Sequence, residues 1–215
     1  MSAKANAVPT VVLWSFALGL VLSYYLLPGV ASCFERVRTW QEAFGWKAVV
    51  VSRIFFNGIL PGVFLLVVGE IRPQRPLATI LAQAAFGCVF GLLCDTFFRL
   101  QSAWFGAGPE LTTLVGKTLV DQFVWTVLVI APANAVFFFW LGRDFSWRRV
   151  RDEWPRGRFF AELVLPNLIP NWIVGIPAIF ATYAFPLDLQ IHVNGLVSSF
   201  WMLMCLQIGR RSATS

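Results

Sequence analysis

Five ionisable residues lie within or at the ends of long apolar segments: Arg53, Asp95, Arg99, Lys117 and Asp121. A charged side chain at the centre of a bilayer costs about 2.5–3.5 kcal/mol on insertion scales, so such residues need partners or water. Asp95 and Arg99 are four residues apart, share one helix face and can pair directly. Lys117 and Asp121 have the same spacing in the less favourable order, which predicts a second pair.

These charged residues lie near the ends of their segments on the same predicted side of the membrane. The pattern therefore indicates a polar cluster within the membrane. Two interpretations stay open: a lining for the path of a small solute, or an ion-pair network that fixes the helices. The candidate pore-lining or polar-network residues are Arg53, Asn57, Asp95, Arg99, Asp121, Gln122 and Asn171.

Other chemistry is not indicated by the residue pattern. His192 is the single histidine, with Asn194 close by, and we expect it to be a hydrogen-bonded structural residue. No nucleophile–base arrangement, HExxH, CxxC or phosphate-binding glycine loop occurs. The cysteines fit neither a metal site nor a disulfide framework and are expected to be small hydrophobic residues. They are Cys33, Cys88, Cys94 and Cys205. We therefore expect no enzyme, no cofactor and no metal.

The composition indicates which environment surrounds these residues. Hydrophobic residues make up 58% of the 215-residue chain and charged residues 13%. Soluble domains carry about 25% charged residues, because a surface in water needs them. The 21 Phe and 10 Trp residues suit a bilayer core and its headgroup level. The chain is therefore predicted to be an integral membrane protein.

About five to six hydrophobic segments are long enough to span a bilayer, which takes about 20 apolar residues. They predict an all-α, polytopic transmembrane helix bundle. The first could instead be a signal peptide, but it lacks a preceding basic run, which favours a retained span. The stretch between the first two segments, 30–47, is predicted to be a short surface helix. The segments are 11–27, 48–69, 77–100, 113–142, 159–185 and 191–208.

Prolines interrupt several of these segments. The fifth contains Pro166, Pro170 and Pro177, and we expect an interfacial stretch over 159–168 followed by a broken or kinked span from 170. Pro61 and Pro132 are predicted to kink their helices. Carbonyl groups freed at a kink can line a cavity, although such prolines are also ordinary packing features.

Basic residues are distributed unevenly between the two predicted sides. With six spans, eleven Lys and Arg residues fall on the side of the termini and five on the other, which predicts both termini on the cytosol-like or matrix-like side. Six arginines belong to the loop 143–158, which is expected to contact anionic headgroups. The net charge of +6 is thus explained by the membrane and does not indicate nucleic-acid binding.

The chain is predicted to fold as one membrane unit. Segment 1–46 provides the N-terminal span and a short interfacial segment, 47–209 the helix bundle, and 210–215 a basic, polar tail. The small-residue stripes Gly58-x-x-x-Gly62 and Gly87-x-x-x-Gly91 favour close helix packing. Contact with lipid, and self-association into a homo-oligomer, are the interactions compatible with this pattern.

Several polar landmarks follow one another in a characteristic order. GLLCDTFFRL at 91–100 precedes LVDQ at 119–122 and PANAVFFFWLG at 132–142. After the basic loop come NLIPNWIVGIP at 167–177 and PLDLQ at 186–190, and Trp201 follows. Over roughly 50–205 the chain resembles the family of small membrane proteins that contains Mpv-seventeen and the twenty-two-kilodalton peroxisomal membrane protein. NGILPGVFLLVVGE at 57–70 is similar to the first span of that family.

The match is that of a divergent member. Leu92 stands where the family has proline, Asp95 where it has histidine, and Phe97 and Phe98 where it has Trp-Tyr. Gly175 and Ile176 interrupt its Trp-Pro, and residues 202–206 depart from its usual ending. The matched positions are Gly91, Arg99, Asp121, Gln122, Pro132, Phe137, Gly142, Asn171, Trp172, Pro177, Pro186 and Trp201. Among them, Gly91, Pro132, Trp172, Pro177, Pro186 and Trp201 are expected to be structural.

The resemblance implies a compartment and a broad role. Family members reside in mitochondrial inner membranes, peroxisomes and related membranes, and are implicated in channel-like passage of small solutes and in membrane homeostasis. It therefore implies a weakly selective small-solute channel or a modulator of permeability, with the mitochondrial inner membrane favoured. The alternative is a structural or assembly protein that binds lipid or partner helices without transport.

Overall fold

Ten α-helices and three π-helical segments form the regular structure of the residues described by this computed structural model, which are 3–68 and 75–213. Side chains are described over the same ranges except at 3–9, 65–68, 167, 169–170 and 201–213. No strand occurs in these ranges, which confirms the all-α prediction.

The first part of the chain contains α1 (Ala3–Leu26), α2 (Pro28–Phe44), α3 (Trp46–Arg53), π1 (Ile54–Ile59), α4 (Leu60–Val68) and α5 (Pro76–Phe105). The second part contains α6 (Leu111–Val120), π2 (Asp121–Ile130), α7 (Ala131–Leu141), α8 (Trp147–Asp152), π3 (Phe160–Val164), α9 (Leu165–Tyr183) and α10 (Leu187–Ala213).

Three helices of the described residues are long and apolar enough to cross a membrane: Trp46–Phe64, Pro76–Phe105 and Leu111–Leu141. Thr10–Leu26 and Pro28–Phe44 add a fourth if this pair, bent by 97°, forms a single span. Asn171–Tyr183 is a shorter apolar helix. The count is thus three or four, and the predicted five to six spans are not confirmed. The sidedness derived from six spans stays a prediction.

The outer surface of these helices is apolar. Leu77, Leu111 and Leu128 are each more than two-thirds exposed. Side chains that are polar or charged are buried instead, including Gln101, Lys117 and Thr182, each with no exposed surface. This distribution is the opposite of that of a water-soluble protein and is compatible with a multi-pass membrane protein.

The helix predicted after the first segment is present as α2, and its position at the membrane surface stays a prediction. Pro28 begins it with a fixed φ angle and no donor to satisfy, as the first helical position allows. Gly45 ends it with φ of 55°, and its N–H bonds the Gln41 carbonyl at 2.7 Å. Because that conformation favours glycine, Gly45 separates α2 from α3 sharply.

Each π-helical segment ends two residues before a proline, at Pro61, Pro132 and Pro166. The residue just before each proline donates to the carbonyl five residues earlier; Leu60 bonds Phe55 in this way. A proline ring clashes with the carbonyl four residues earlier in an α-helix, and a wider turn relieves the clash. The predicted kinks at Pro61 and Pro132 thus take the form of π-helical turns.

Of the break or kink predicted from residue 170, the break is wrong. α9 continues without interruption from Leu165 to Tyr183 through Pro166, Pro170 and Pro177. The irregular turn lies earlier, at Phe160–Val164, and falls within the stretch that was expected to be interfacial. Widening of the helix ahead of Pro166 accommodates the ring there without ending the helix.

The helices that carry the two small-residue stripes pack against each other within one chain. A Cβ placed on Gly58 would lie 2.6 Å from the Ala84 Cβ, and one on Gly87 would lie 2.6 Å from the Asn57 Cβ. A Cβ on Gly62 would meet Ile80 at 2.6 Å. The glycines therefore bring the α3–π1–α4 helix close to α5, which confirms their predicted packing role.

Candidate functional site

Asp121 begins π2 and is a buried carboxylate, with 4% of its surface exposed. Both of its oxygens accept hydrogen bonds. The Tyr183 hydroxyl donates to Oδ2 at 2.9 Å and Gln122 Nε2 donates to Oδ1 at 2.8 Å, with Thr126 Oγ1 3.5 Å away. Accepting at both oxygens suits an ionised carboxylate, which has no proton to donate.

The predicted pair between Lys117 and Asp121 does not form. Lys117 Nζ donates to Ser102 Oγ at 2.9 Å and lies 5.6 Å from the centre of the Tyr183 ring. It is fully buried between α6 and the end of α5. Among the described residues Asp121 has no salt bridge, and Tyr183, which the sequence pattern did not single out, is its partner instead.

Arg53 ends α3 and is almost fully buried, with 4% exposed. Its Nη2 donates to the Ile191 carbonyl at 3.2 Å and to Asn194 Oδ1 at 2.8 Å. Gly91 on α5 leaves room for its side chain, because a Cβ there would overlap the Arg53 methylenes. Arg53 therefore connects α3 to α10 and is not joined to Asp121 by any hydrogen bond.

Asp95 and Arg99 form the predicted i,i+4 pair, with Nε 2.9 Å from Oδ2. Arg99 Nη2 also bonds Asp188 Oδ1 at 3.1 Å, which links α5 to the start of α10. The Arg99 side chain is 43% exposed. The predicted single cluster is therefore divided into three separate groups, around Arg53, Arg99 and Asp121.

A cavity of about 440 Å³ lies between the helices beside Asp121. Of the predicted polar residues, Asn57, Asp121, Gln122 and Asn171 line it, whereas Arg53, Asp95 and Arg99 do not. Sequence reasoning missed further polar lining residues, among them Gln83, Thr126, Asn134, Thr182, Asn194 and Ser198. None of these missed side chains carries a formal charge, so they did not stand out in a search for costly intramembrane charges.

The lining of the cavity combines polar with aromatic groups. Phe86 and Phe137 stack there with ring centres 4.0 Å apart. Asn171 lines the cavity and is also exposed on the surface of α9, and Phe138 is 49% exposed. The edge of the cavity formed by α7 and α9 therefore reaches the outside of the bundle.

Gln122 has an amide orientation that its neighbours determine. Nε2 faces the Asp121 carboxylate, which accepts hydrogen bonds, so Oε1 faces the other way. A Cβ placed on Gly175 would lie 3.0 Å from that oxygen and 3.5 Å from Asn171 Nδ2. The absence of a side chain at Gly175 thus leaves space in front of both amides, on the face of α9 that lines the cavity.

The residues expected to be structural have identifiable places. Trp172 Nε1 donates to the Gln122 carbonyl at 2.9 Å and so ties α9 to π2. Pro132 is the second residue of α7 and Pro177 lies within α9. The Pro186 carbonyl accepts from the Leu189 N–H at 2.8 Å and so precedes the first turn of α10. The side chain of Trp201 lies outside the described set.

The described cysteine side chains and the single histidine are arranged as structural residues. Cys33, Cys88 and Cys94 are free thiols, and the Cys205 side chain is outside the described set. His192 Nε2 lies 2.9 Å from Gln41 Oε1, which connects α10 to α2. Within the described ranges no group of three His, Cys, Asp or Glu residues is arranged to hold a metal ion.

The basic loop 143–158 is partly neutralised. Arg143 bonds Glu153 at 2.8 Å and Arg149 bonds Asp144 at 2.9 Å. Arg158 pairs with Glu162 at 2.9 Å. The predicted contact with anionic headgroups therefore depends on a smaller excess of positive charge than the count of six arginines indicates.

No family model, no curated protein and no solved structure matches the chain. The resemblance to the family of Mpv-seventeen and the twenty-two-kilodalton peroxisomal membrane protein therefore stays a prediction.

Proposed function

We propose that this chain is a multi-pass membrane protein of an organelle that acts as a weakly selective small-solute channel or modulator of membrane permeability. The observation that carries the proposal is the cavity of about 440 Å³ beside Asp121, with its polar lining. Cavities that hold small molecules measure roughly 300–1,000 Å³.

The position of the cavity supports passage across a membrane. Thr126 on its wall is fifteen residues from each end of the apolar helix Leu111–Leu141. Asn57 lies likewise inside Trp46–Phe64. Polar groups at such a depth are expensive unless they face other polar groups or a solute. A polar cavity halfway along apolar helices is what a solute that crosses the bilayer requires.

The π-helical segments place functional groups on the cavity. Asn57 lies in π1, and Asp121, Gln122 and Thr126 lie in π2. π-Helical turns are rare and often coincide with functional sites, because the extra residue per turn redirects side chains. In π1 and π2, the polar side chains thus face the cavity, whereas the other faces of these helices are apolar.

The organelle is proposed from the family resemblance alone. It favours the mitochondrial inner membrane, with the peroxisomal membrane as the second choice. Assembly into a homo-oligomer is part of the proposal, since the exposed apolar faces of α5 and π2 offer surface to lipid or to a second copy.

Flux measurements test the proposal. The purified chain in sealed liposomes should speed the entry of glycerol or urea, followed by light scattering, above that of protein-free liposomes. Gly175→Ala should lower the flux by filling space in front of Gln122 and Asn171. Gly19→Ala is the matched control, because nothing lies within 4 Å of its Cβ position and its effect on flux should be nil. Flux equal to that of empty liposomes would refute a channel.

A structural or assembly function is the second candidate, and one surface favours it. Trp147 is 63% exposed at the start of α8, beside Arg148 and Arg149. Tryptophan next to arginine is typical of the headgroup level of a membrane. If α8 docks anionic lipid, Arg148→Glu should lower binding to phosphatidylserine or cardiolipin vesicles, and Arg36→Glu on α2 should serve as the comparison. Unchanged binding after both substitutions would remove this candidate.

A further inference from the structure

We propose that the cavity beside Asp121 binds a small primary ammonium ion, with its charged head at the Asp121 carboxylate and its apolar part against the aromatic wall. The inference rests on the proposed function and names the class of solute that the cavity prefers.

The lining has one sign of charge. Among the described residues around the cavity, Asp121 is the one carboxylate, and no Lys, Arg or His is present. The buried cation Arg53 does not line the cavity and donates to Asn194 Oδ1 and to the Ile191 carbonyl. Lys117 is directed to Ser102, away from the carboxylate. A cation in the cavity would therefore meet an uncompensated negative charge, whose attraction is strong where water is excluded.

Three buried amide oxygens on the cavity wall lack a hydrogen-bond partner. Within the described part of the chain, the side-chain oxygens of Asn57, Gln83 and Gln122 have no hydrogen-bond partner. Gln83 and Gln122 are more than nine-tenths buried, with 7% and 4% exposed, and all three residues line the cavity. The direction of Gln122 Oε1 follows from the bond of its Nε2 to Asp121. A buried acceptor without a partner costs about 1–3 kcal/mol, which a donating solute would recover.

A primary ammonium group matches these acceptors. It carries three N–H donors and no acceptor, so carboxylate and carbonyl oxygens suit it and an anion or a pure acceptor does not. The stacked rings of Phe86 and Phe137 provide an apolar wall for an alkyl chain. Charge, hydrogen-bond direction and wall chemistry thus point to the same class of solute.

Calorimetric titration of the full chain in lipid nanodiscs tests the inference, with n-butylammonium chloride as the probe and protein-free nanodiscs as the blank. Butan-1-ol and sodium butyrate are compared, because they keep the alkyl chain and replace the ammonium group by a neutral or negative one. We expect n-butylammonium to bind at least about tenfold more tightly than either, which corresponds to the loss of one charge-assisted hydrogen bond.

Three variants distinguish binding at Asp121 from binding elsewhere. Asp121→Asn keeps the shape and removes the charge, and should weaken n-butylammonium binding by about tenfold or more. Asp121→Glu keeps the charge and should restore most of the affinity, which guards against a folding defect. Asp188→Asn removes a carboxylate outside the cavity and should change nothing.

The outcomes separate this inference from the proposed function. Equal affinity for n-butylammonium and butan-1-ol, or full affinity in Asp121→Asn, overturns the ammonium site even if glycerol flux is observed. Binding that requires Asp121, in a protein that gives no flux, supports the site and refutes the channel.

Discussion

Ser199 on α10 donates its hydroxyl hydrogen to the carbonyl oxygen of Phe56 in π1, at 2.6 Å. Leu60 bonds Phe55 instead of Phe56, and the next residue, Pro61, has no N–H to offer. The π-helical turn therefore frees the Phe56 carbonyl, and a side chain from another helix satisfies it. The π-helical turn before Pro61 therefore leads to a hydrogen bond between two parts of the chain that are far apart in sequence.

Replacement of Ser199 by alanine should lower the stability of the protein. It leaves the partly buried Phe56 carbonyl without this donor, at a cost of about 1 kcal/mol. The midpoint of thermal unfolding in detergent is the measurement. Ser32→Ala is the control, since the Ser32 hydroxyl is exposed and bonds the nearby Gly29 carbonyl. Equal small effects of both substitutions would show that the Phe56 carbonyl does not depend on Ser199.

The contact between π1 and α5 should not tolerate a methyl group. Gly58→Ala would place a Cβ 3.2 Å from the Ala84 Cα, a backbone atom that cannot rotate away. Overpacking of this kind costs about 1–3 kcal/mol. Gly19→Ala should instead be neutral or stabilising, because alanine is favoured over glycine in a helix by about 0.5–1 kcal/mol. The midpoint of thermal unfolding should fall in Gly58→Ala and stay equal or rise in Gly19→Ala, and an equal fall in both would contradict the packing.

The hydroxyl of Tyr183 should contribute more to the stability of the protein than that of Tyr24. Tyr183 is 1% exposed, donates to Asp121 and accepts from Gln101, so Tyr183→Phe leaves both partners incomplete. We expect a loss of about 1–3 kcal/mol. The Tyr24 hydroxyl makes one 3.4 Å contact near the surface, and Tyr24→Phe should change stability by less than about 0.5 kcal/mol.

A double-mutant cycle checks the assignment of that loss. If the Tyr183 hydroxyl acts through Asp121, the effects of Tyr183→Phe and Asp121→Asn should not add, because the residues are in direct contact. Additive unfolding free energies would mean that the hydroxyl stabilises the protein through Gln101 alone.

Thiol labelling tests which helices face lipid. Cys33 is exposed on α2, whereas Cys88 lies in the apolar helix Pro76–Phe105 and Cys94 is a further residue of that helix. With Cys94, which lines the cavity, and Cys205 replaced by serine, a membrane-impermeant maleimide should label Cys33 in liposomes and leave Cys88 unreacted until the protein is denatured. Labelling of Cys88 as fast as that of Cys33 would contradict a membrane position for α5.

Sequence alone predicted the helical class and several local features. Apolar stretches of about 20 residues can satisfy their backbone groups in lipid only as helices or closed barrels, so composition and segment length were sufficient for the class. The Asp95–Arg99 pair and the glycine stripes also followed from the helix repeat, since residues four apart share a face.

The number of spans and the partners of the charges could not be derived in this way. A hydropathy pattern does not show the 97° bend between α1 and α2. It also does not show that Asp121 meets Tyr183, sixty-two residues away. Asp121 follows Lys117 by four residues, the spacing of a pair on one helix face. The packing of α6 on α5 instead directs the Lys117 ammonium group to Ser102.

From the residue pattern it followed that polar groups would be buried in an apolar helical protein and that Asp121 would need a partner. Which of these groups share a cavity depends on the packing of the helices. Asn57, Gln83, Asn171 and Asp121 come from four different helical segments, and only their packing places them around the same space. The physical reason is that a helix repeat fixes which face a side chain occupies, whereas the neighbour of that face depends on how the helices cross.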